Sequence, residues 1–243
     1  MTRRVGVGGV PEAFDGAAAG YDLLVAMNPG YHRALRRSAR ALGLPASGAR
    51  VLDLGCGTGA STAALLSVAP GAEVVAVDAS GGMLARARAK NWPDHVTFVH
   101  CRAEDLAAAG VEGPFDAVFA AYLVRNLPDP DATLRAVRGL LRPGGRVVLH
   151  EYSVADSRVR AAIWTAVCWS VVIPSGWLVT RDRGLYTYLW RSVLRFDGAS
   201  RLRDRLRRNG FVDVRTDAVT GWQRGIAHTF VGRAAEGEPG AGT

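Results

Sequence analysis

Near position 50 a carboxylate is set just before three alternating glycines, Asp53-Leu54-Gly55-Cys56-Gly57-Thr58-Gly59. Glycine at every second place lets a backbone turn sharply and approach a ligand with no Cβ in between. Val51 to Leu54 reads as a buried strand, and Ala60 to Val68, free of Gly and Pro, reads as a helix. Strand, glycine turn and helix form a nucleotide-binding βα unit. A dinucleotide site takes G-x-G-x-x-G, whereas this pattern is D-x-G-x-G-x-G. A carboxylate inside the strand would repel a pyrophosphate and attract a cationic ligand. A second acid, Asp78, closes the next apolar run, Glu73 to Asp78. At a strand tip it can accept both ribose hydroxyls of an adenosine ligand.

Two acids so placed resemble class I S-adenosylmethionine (SAM) methyltransferases, whose cofactor carries an ammonium and a sulfonium. Asp78-Ala79-Ser80-Gly81-Gly82-Met83-Leu84 resembles the same class, with Ser80 suited to cap the helix that follows. That resemblance implies a cofactor site at Asp53, Gly55, Gly57, Thr58, Gly59, Asp78, Ala79 and Met83, with SAM bound and S-adenosylhomocysteine released.

These motifs need elements to carry them. The arm 1–13 is glycine-rich, then charged, with no apolar signal-peptide core. Residues 14–44 read as a helical cover, with a turn at Pro29-Gly30 and a helix from about Tyr31. Further strands are expected at Val96 to His100, Phe115 to Ala121, Arg146 to His150, Phe211 to Asp217 and Ile226 to Val231. Asp129-Pro130-Asp131 opens a helix between the fourth and fifth of the sheet's strands. Strand–helix alternation predicts an α/β fold: a doubly wound, seven-stranded, mostly parallel Rossmann-like sheet with helices on both faces. The whole of 14–233 is expected as one domain, with 234–243 a disordered tail.

Residues 152–200 read as a helical apolar insertion. Ala161 to Thr180 carries no charged residue. Pro174, Ser175 and Gly176 are expected to break it, so it is read as a helix packed inside the protein rather than a membrane span. Of the six tryptophans only Trp92 lies in the cofactor half. The others fit either core filling or an aromatic pocket for a flat apolar substrate.

The 243 residues carry 30 Lys+Arg against 22 Asp+Glu, a formal net charge of +8. That balance permits contact with acidic lipids but demonstrates no partner. No nucleic-acid module or base-methylation motif is visible. Arg201 to Arg208 reads as a solvated amphipathic helix. Cys56, Cys101 and Cys168 are odd in number and far apart, which suits a reducing cytoplasm. His95, His100 and His150 show no ligand spacing, and no metal is assigned.

In its finer pieces the chain resembles the ubiquinone/menaquinone-biosynthesis C-methyltransferases (UbiE/MenG type). Phe14-Asp15, Tyr21-Asp22 and His32-Arg33 resemble the N-terminal signature. Arg125-Asn126-Leu127-Pro128-Asp129 resembles the R-N-V-x-D motif, and Leu141 to Arg146 through Glu151 and Ser153 the K-P-G-G-R and L-E-F-S block. Tyr186 to Leu189, Thr220-Gly221 and Ile226 to His228 resemble the C-terminal signatures. The resemblance implies further SAM positions at Arg102, Ala103 and Ala121. It also implies methylation of a small apolar aromatic or quinol acceptor; a homodimer is allowed, and the uncharged 161–180 segment beside many arginines allows peripheral contact with a membrane surface. Arg102 departs from the family pattern beside the adenine, where SAM binding is left to backbone groups, and the departures at Arg191 and His150-Glu151-Tyr152 leave the acceptor open among quinols, phenols and prenylated aromatics. An O-, N- or C-methyltransferase of a specialised metabolite, or a SAM-binding accessory protein without turnover, remains as an alternative. The candidate acid–base and electrostatic residues are His32, His228, Arg125 and Asn126. The last two should stand at a strand's carboxyl end, where ligands bind in open α/β sheets.

Overall fold

The structure is a computed structural model and describes residues 11, 14, 15, 20, 22, 23, 25, 26, 28–181 and 183–236. The expected arm (except Pro11), the end of the expected tail, and Tyr21 of the N-terminal signature lie outside the described residues.

The chain runs α1 (Tyr31–Arg40), β1 (Ser47–Leu54), α2 (Ala60–Leu66), β2 (Gly71–Asp78), α3 (Gly81–Arg88), β3 (Val96–His100), β4 (Phe115–Ala121), α4 (Pro130–Leu140) and β5 (Leu141–Tyr152). It continues through α5 (Arg158–Val167), α6 (Ile173–Thr180), α7 (Gly184–Arg195), α8 (Ala199–Arg208), β6 (Phe211–Ala218) and β7 (Ala227–Ala234). The seven strands lie in the order β3-β2-β1-β4-β5-β7-β6. All neighbours are parallel except β7, which runs antiparallel to both β5 and β6. The expected doubly wound sheet is therefore present. Its strand order reverses between β1 and β4, which opens a crevice at their carboxyl ends.

The central strands are buried on both faces, so they read as apolar runs rather than alternating ones. Val51, Phe119 and Val148 face a core that includes Leu35 of α1 and Trp164 of α5. Leu52, Val118 and Leu149 face the other, with Leu134 of α4 and Leu202 and Leu206 of α8. The burial of those two leucines shows the arginine-rich helix to be amphipathic, as its spacing predicts. Ser80 caps α3 by accepting from Met83 N at 3.1 Å, and Asp129 caps α4 by accepting from Ala132 N at 2.9 Å. Strand β5 is longer than expected: Leu141, directly after α4, already pairs with Phe115 of β4, and an irregular register precedes Arg146↔Ala117.

The uncharged segment corrects the sequence reading. Helical structure is continuous from Arg158 to Thr180, because a π turn at Cys168–Val172 precedes Pro174. The wider turn accommodates a residue that lacks an N–H donor. Nor is the helix packed inside. Trp164, Cys168, Ile173 and Gly176 form a buried stripe, while Val159, Trp169, Val171 and Leu178 are exposed. By length and composition this 23-residue helix could cross a membrane.

Asp53 ties β1 to α2. Its Oδ2 accepts from Ser61 Oγ at 2.8 Å and from Thr62 Oγ1 at 2.6 Å. Burial raises its carboxyl from the ordinary 3.8 to about 7, against the lowering effect of those two hydroxyls. The folded chain thus holds a proton that the unfolded chain loses near pH 4. Stability from this group is full below about pH 4 and is lost as pH rises through about 7. Asp53→Asn cannot ionise, so the melting temperature of the ligand-free variant should fall less between about pH 5 and 8 than that of the wild type. Equal slopes in a thermal-melt series would contradict this account of the buried carboxyl.

Candidate active site

Two cavities meet at the crevice. The smaller, about 130 Å³, lies at the carboxyl ends of β1, β2 and β4. Among the candidate cofactor residues, Gly55, Gly57, Asp78, Ala79, Met83, Arg102, Ala103 and Ala121 line it. Gly57 has φ +57°, and a Cβ there would project into open space. An extended ligand can therefore lie directly on this backbone. Asp78 Oδ2 accepts from Gly57 N at 2.7 Å and Oδ1 from Ser80 N at 2.8 Å. Each oxygen keeps a lone pair for a hydroxyl donor. Burial raises the Asp78 carboxyl, and the backbone donors at Ser80 and Gly57 oppose it.

The structure does not bring every candidate to this wall. Asp53 is fully buried below the glycine turn and does not line the cavity, although its Oδ1 has no hydrogen-bond partner among the described residues. Thr58 points instead to the N-terminal segment, donating to Asp22 Oδ1 at 2.5 Å. Gly59, at φ +91°, packs so closely on Trp92 that a Cβ would sit 2.6 Å from the indole. These three shape the turn, and its exposed edge is left to Gly55 and Gly57. The set fits SAM: acceptors stand where hydroxyls belong, a cradle has no Cβ, and apolar Met83 and Ala103 lie beside it.

The larger cavity, about 430 Å³, lies between α1, β4, β5 and the helices α5 to α7. Its walls are mostly aromatic and aliphatic, including Tyr31, Tyr122, Tyr152, Trp164 and Leu189. Phe14, Tyr122, Arg125 and Asn126 line both cavities. The expected pair Arg125-Asn126 thus stands on the boundary between them, in a 3₁₀ turn directly after β4. Arg125 Nη1 donates to Glu151 Oε2 at 2.7 Å, and both side chains are buried. The guanidinium lies 5.8 Å from the ring centres of both Tyr122 and Tyr152. Burial raises the Glu151 carboxyl, and Arg125 opposes the shift. Asn126 Nδ2 donates to Tyr122 O at 3.1 Å, while its Oδ1 accepts from Tyr188 Oη at 3.1 Å.

Neither histidine candidate joins this arrangement. His32 is exposed on α1 beside Tyr31, and His228 lies on β7 opposite Glu151; neither lines a cavity. Helical periodicity gives α1 a buried face through Tyr31, Ala34 and Leu35, and His32 falls outside it. The histidine that matters to the shape is His150, which sequence reasoning passed over. It is wholly buried, with Nδ1 2.8 Å from Ser38 Oγ and Nε2 3.0 Å from Tyr122 Oη. Burial pushes its pKa down to about 3, so it stays neutral. Tyr122 was missed too. It has φ +57°, an uncommon conformation for a bulky residue, and stacks between Tyr31 at 5.6 Å and Tyr152 at 4.6 Å. Only the replacement of an aliphatic residue by His150 could have signalled this network.

A model of the ubiE/COQ5 methyltransferase family matches residues 3–233. A demethylmenaquinone methyltransferase of Deinococcus radiodurans is 36% identical over 224 residues, covering 92% of this chain and 91% of the relative. A ubiquinone/menaquinone biosynthesis C-methyltransferase UbiE of Pseudomonas paraeruginosa is 34% identical over 218 residues, with 87% and 84% covered. Among solved structures, magnesium protoporphyrin IX methyltransferase from Synechocystis PCC 6803 with bound SAM superimposes at a TM-score of 0.57. It is 16% identical and covers 85% of this chain and 80% of its own, a likeness of fold.

Two measurements probe the site. Asp78→Ala should weaken SAM binding by about 1.5–3 kcal/mol, roughly 10- to 150-fold in Kd, by removing a charged acceptor. Unchanged calorimetric affinity in a folded variant would remove Asp78 from the site. In the buried network, Tyr122→Phe and His150→Leu each strand a polar partner and should cost about 1–3 kcal/mol by denaturant unfolding. The double variant should cost less than the sum, because coupled partners are not additive. Simple additivity would show the contact to be energetically idle.

Proposed function

This chain belongs to the ubiE/COQ5 methyltransferase family, and from that premise we propose that it methylates a ring carbon of a quinol or related phenolic acceptor. It is a SAM-dependent methyltransferase with the Rossmann-like sheet of that class. The observation that carries the finer reading is the junction of the two cavities at Arg125, Asn126 and Tyr122. An apolar, aromatic-walled space meets the cofactor wall at a buried cation. The names of the curated relatives, for demethylmenaquinone and for ubiquinone/menaquinone biosynthesis, support the same acceptor class.

Asp78, Gly55, Gly57, Ala79, Met83 and Ala103 would hold the cofactor, which supplies an electrophilic methyl group when bound. The acceptor must then present a carbon nucleophile in line with that methyl and away from water. Loss of its O–H proton makes the ortho carbon nucleophilic, but a free phenol ionises only near about pH 10. A fixed cation beside the oxygen favours the phenolate. Arg125 supplies that charge and cannot itself act as the base. His32 and His228 line neither cavity, so in this reading neither takes the proton, which passes to solvent before the acceptor is enclosed. A second proton then passes from the methylated carbon to solvent as the ring regains aromaticity, and the ring oxygen is reprotonated, so one proton is released per methyl transferred. Asn126 is held by Tyr122 and Tyr188, which leaves one amide N–H to orient the acceptor oxygen. Tyr188, whose pKa burial raises, stays neutral. The stacked rings of Tyr31, Tyr122 and Tyr152 offer flat apolar faces to a flat acceptor.

Arg125→Ala would leave Glu151 as an unpaired buried charge, so it would report folding as well as turnover. Arg125→Met with Glu151→Leu removes both charges together and strands neither. It and Asn126→Ala should each lower turnover of a demethylated quinol at least about tenfold, equivalent to about 1.4 kcal/mol in the barrier. SAM affinity by calorimetry should stay within about threefold, less than about 0.7 kcal/mol. Turnover at the wild-type level, followed by mass spectrometry of the methylated product, would remove both residues from the mechanism.

A further inference from the structure

We propose that the outer face of the Arg158–Thr180 helix rests in the plane of an anionic lipid bilayer, and that the acceptor cavity loads beside it. The proposal rests on the apolar-acceptor reading above only for what the cavity receives. The surface itself stands on its own observations. Exposed Val159 (67%), Ile163 (38%), Trp169 (55%) and Leu178 (63%) lie along one helix that carries no charge from 161 to 180. A contiguous exposed apolar face on a folded chain marks an interaction surface.

Charge selects the occupant. Between residues 157 and 195 the chain holds Arg158, Arg160, Arg181, Arg183, Arg191 and Arg195 against one acid, Asp182. The arginines bracket the apolar stretch at both ends. Arg183 lies 4.7 Å from the ring centre of Trp177, and Arg191 5.9 Å from that of Trp190. An apolar stripe edged by tryptophan and arginine suits the boundary between acyl chains and anionic headgroups. A second copy of this chain would bring the same arginines face to face.

Geometry favours lying on the bilayer over spanning it. The inner stripe, Trp164, Cys168, Ile173 and Gly176, is packed into the protein, and Trp164 lies 4.8 Å from Tyr152 by ring centres. Withdrawing the helix to span would strip this contact and remove a cavity wall, since Val167, Val172 and Ser175 line the acceptor space. One helix thus presents one face to the cavity and the other outward. An acceptor with an apolar tail can then pass from the acyl layer to the cavity with little exposure to water.

The test is sedimentation of the full chain with vesicles, without any acceptor. Vesicles of phosphatidylglycerol and phosphatidylcholine should pellet the protein at least about tenfold better than phosphatidylcholine alone, an advantage that salt should reduce. Ile163→Glu with Leu178→Glu points outward and away from both cavities. It should lower vesicle binding at least about tenfold while methylating a tail-less, water-soluble quinol within about twofold of the wild type. Arg181→Gln with Arg183→Gln, which leaves the apolar face intact, should weaken binding to the anionic vesicles at least about fivefold. Failure of the wild type to pellet with anionic vesicles overturns the proposal. So does a concentration-dependent dimer that the double Glu variant abolishes. If the wild type binds vesicles but does not methylate the tail-less quinol, the acceptor reading fails and the bilayer surface stands.

Discussion

The ion pair between Arg125 and Glu151 is the constraint around which the site is arranged. Side-chain exposures are 5% and 0%, so both charges are withdrawn from water. Such withdrawal costs several kcal/mol per ion and is offset only by close pairing and further hydrogen bonds. The fold supplies that closeness by ending two adjacent parallel strands together. Ala121 of β4 pairs with His150 of β5, so Tyr122 and Glu151 begin where the register ends. The left-handed Tyr122 and the 3₁₀ turn after it then swing Arg125 back over the strand tips. In such a low-dielectric setting the two charges act on each other more strongly than they would in water. The same burial stops Arg125 from being replaced without consequence for Glu151, so a test of its proposed role also perturbs stability.

Much of the sheet was legible because parallel strands buried on both faces leave unbroken apolar runs, and glycine turns bound them. Val96 to His100 and Phe115 to Ala121 agree with the observed strands to the residue. The caps at Ser80 and Asp129 were equally readable, since their signals are local. Of the residues lining the smaller cavity, Gly55, Gly57 and Asp78 were readable from the spacing of glycines and acids, and Arg102, Ala103 and Ala121 only from the resemblance. What spacing could not give was which side of the turn each residue faces. Gly57 opens to the cavity, whereas Gly59, two residues on, closes against Trp92. That partner lies far along the chain and no local pattern announces it.

The failures share a cause. Composition reports that a segment is apolar but not what it is apolar toward. Arg158–Thr180 satisfies a buried-core reading and a membrane reading equally until the positions of Trp164 and Trp169 are known, one wholly buried and the other half exposed. Pro174 was read as a break, yet a π turn upstream absorbs it. Histidines were similarly ranked by their place near motifs. His150 was set aside, although Ser38 and Thr229, distant in sequence, satisfy it through tertiary contacts. His32 was favoured for its motif and proves to lie on the solvent face of α1.

The roof over the site follows a different physical rule from its floor. Asp15 Oδ1 accepts from Ser80 Oγ at 2.5 Å and from Gly82 N at 2.8 Å, at the start of α3. Asp22 accepts from Thr58 and pairs at 3.1 Å with Lys90, the chain's single lysine, which also donates to Thr58 O at 2.7 Å. These contacts fasten the N-terminal segment across the glycine turn and bring Phe14 into the walls of both cavities. Yet the Asp22–Lys90 pair is substantially exposed, and pairs of that kind contribute only about 0–1 kcal/mol. Beneath it, β1 and β4 pair in parallel from Val51↔Ala117 to Asp53↔Phe119, with side chains buried on both faces. Local opening draws on the least stable contacts first. The exposed Asp22–Lys90 pair is therefore a weaker tie than the strand tips and the buried Arg125–Glu151 pair they carry. Because Phe14 belongs to both walls, whatever moves it alters the cofactor space and the acceptor space together.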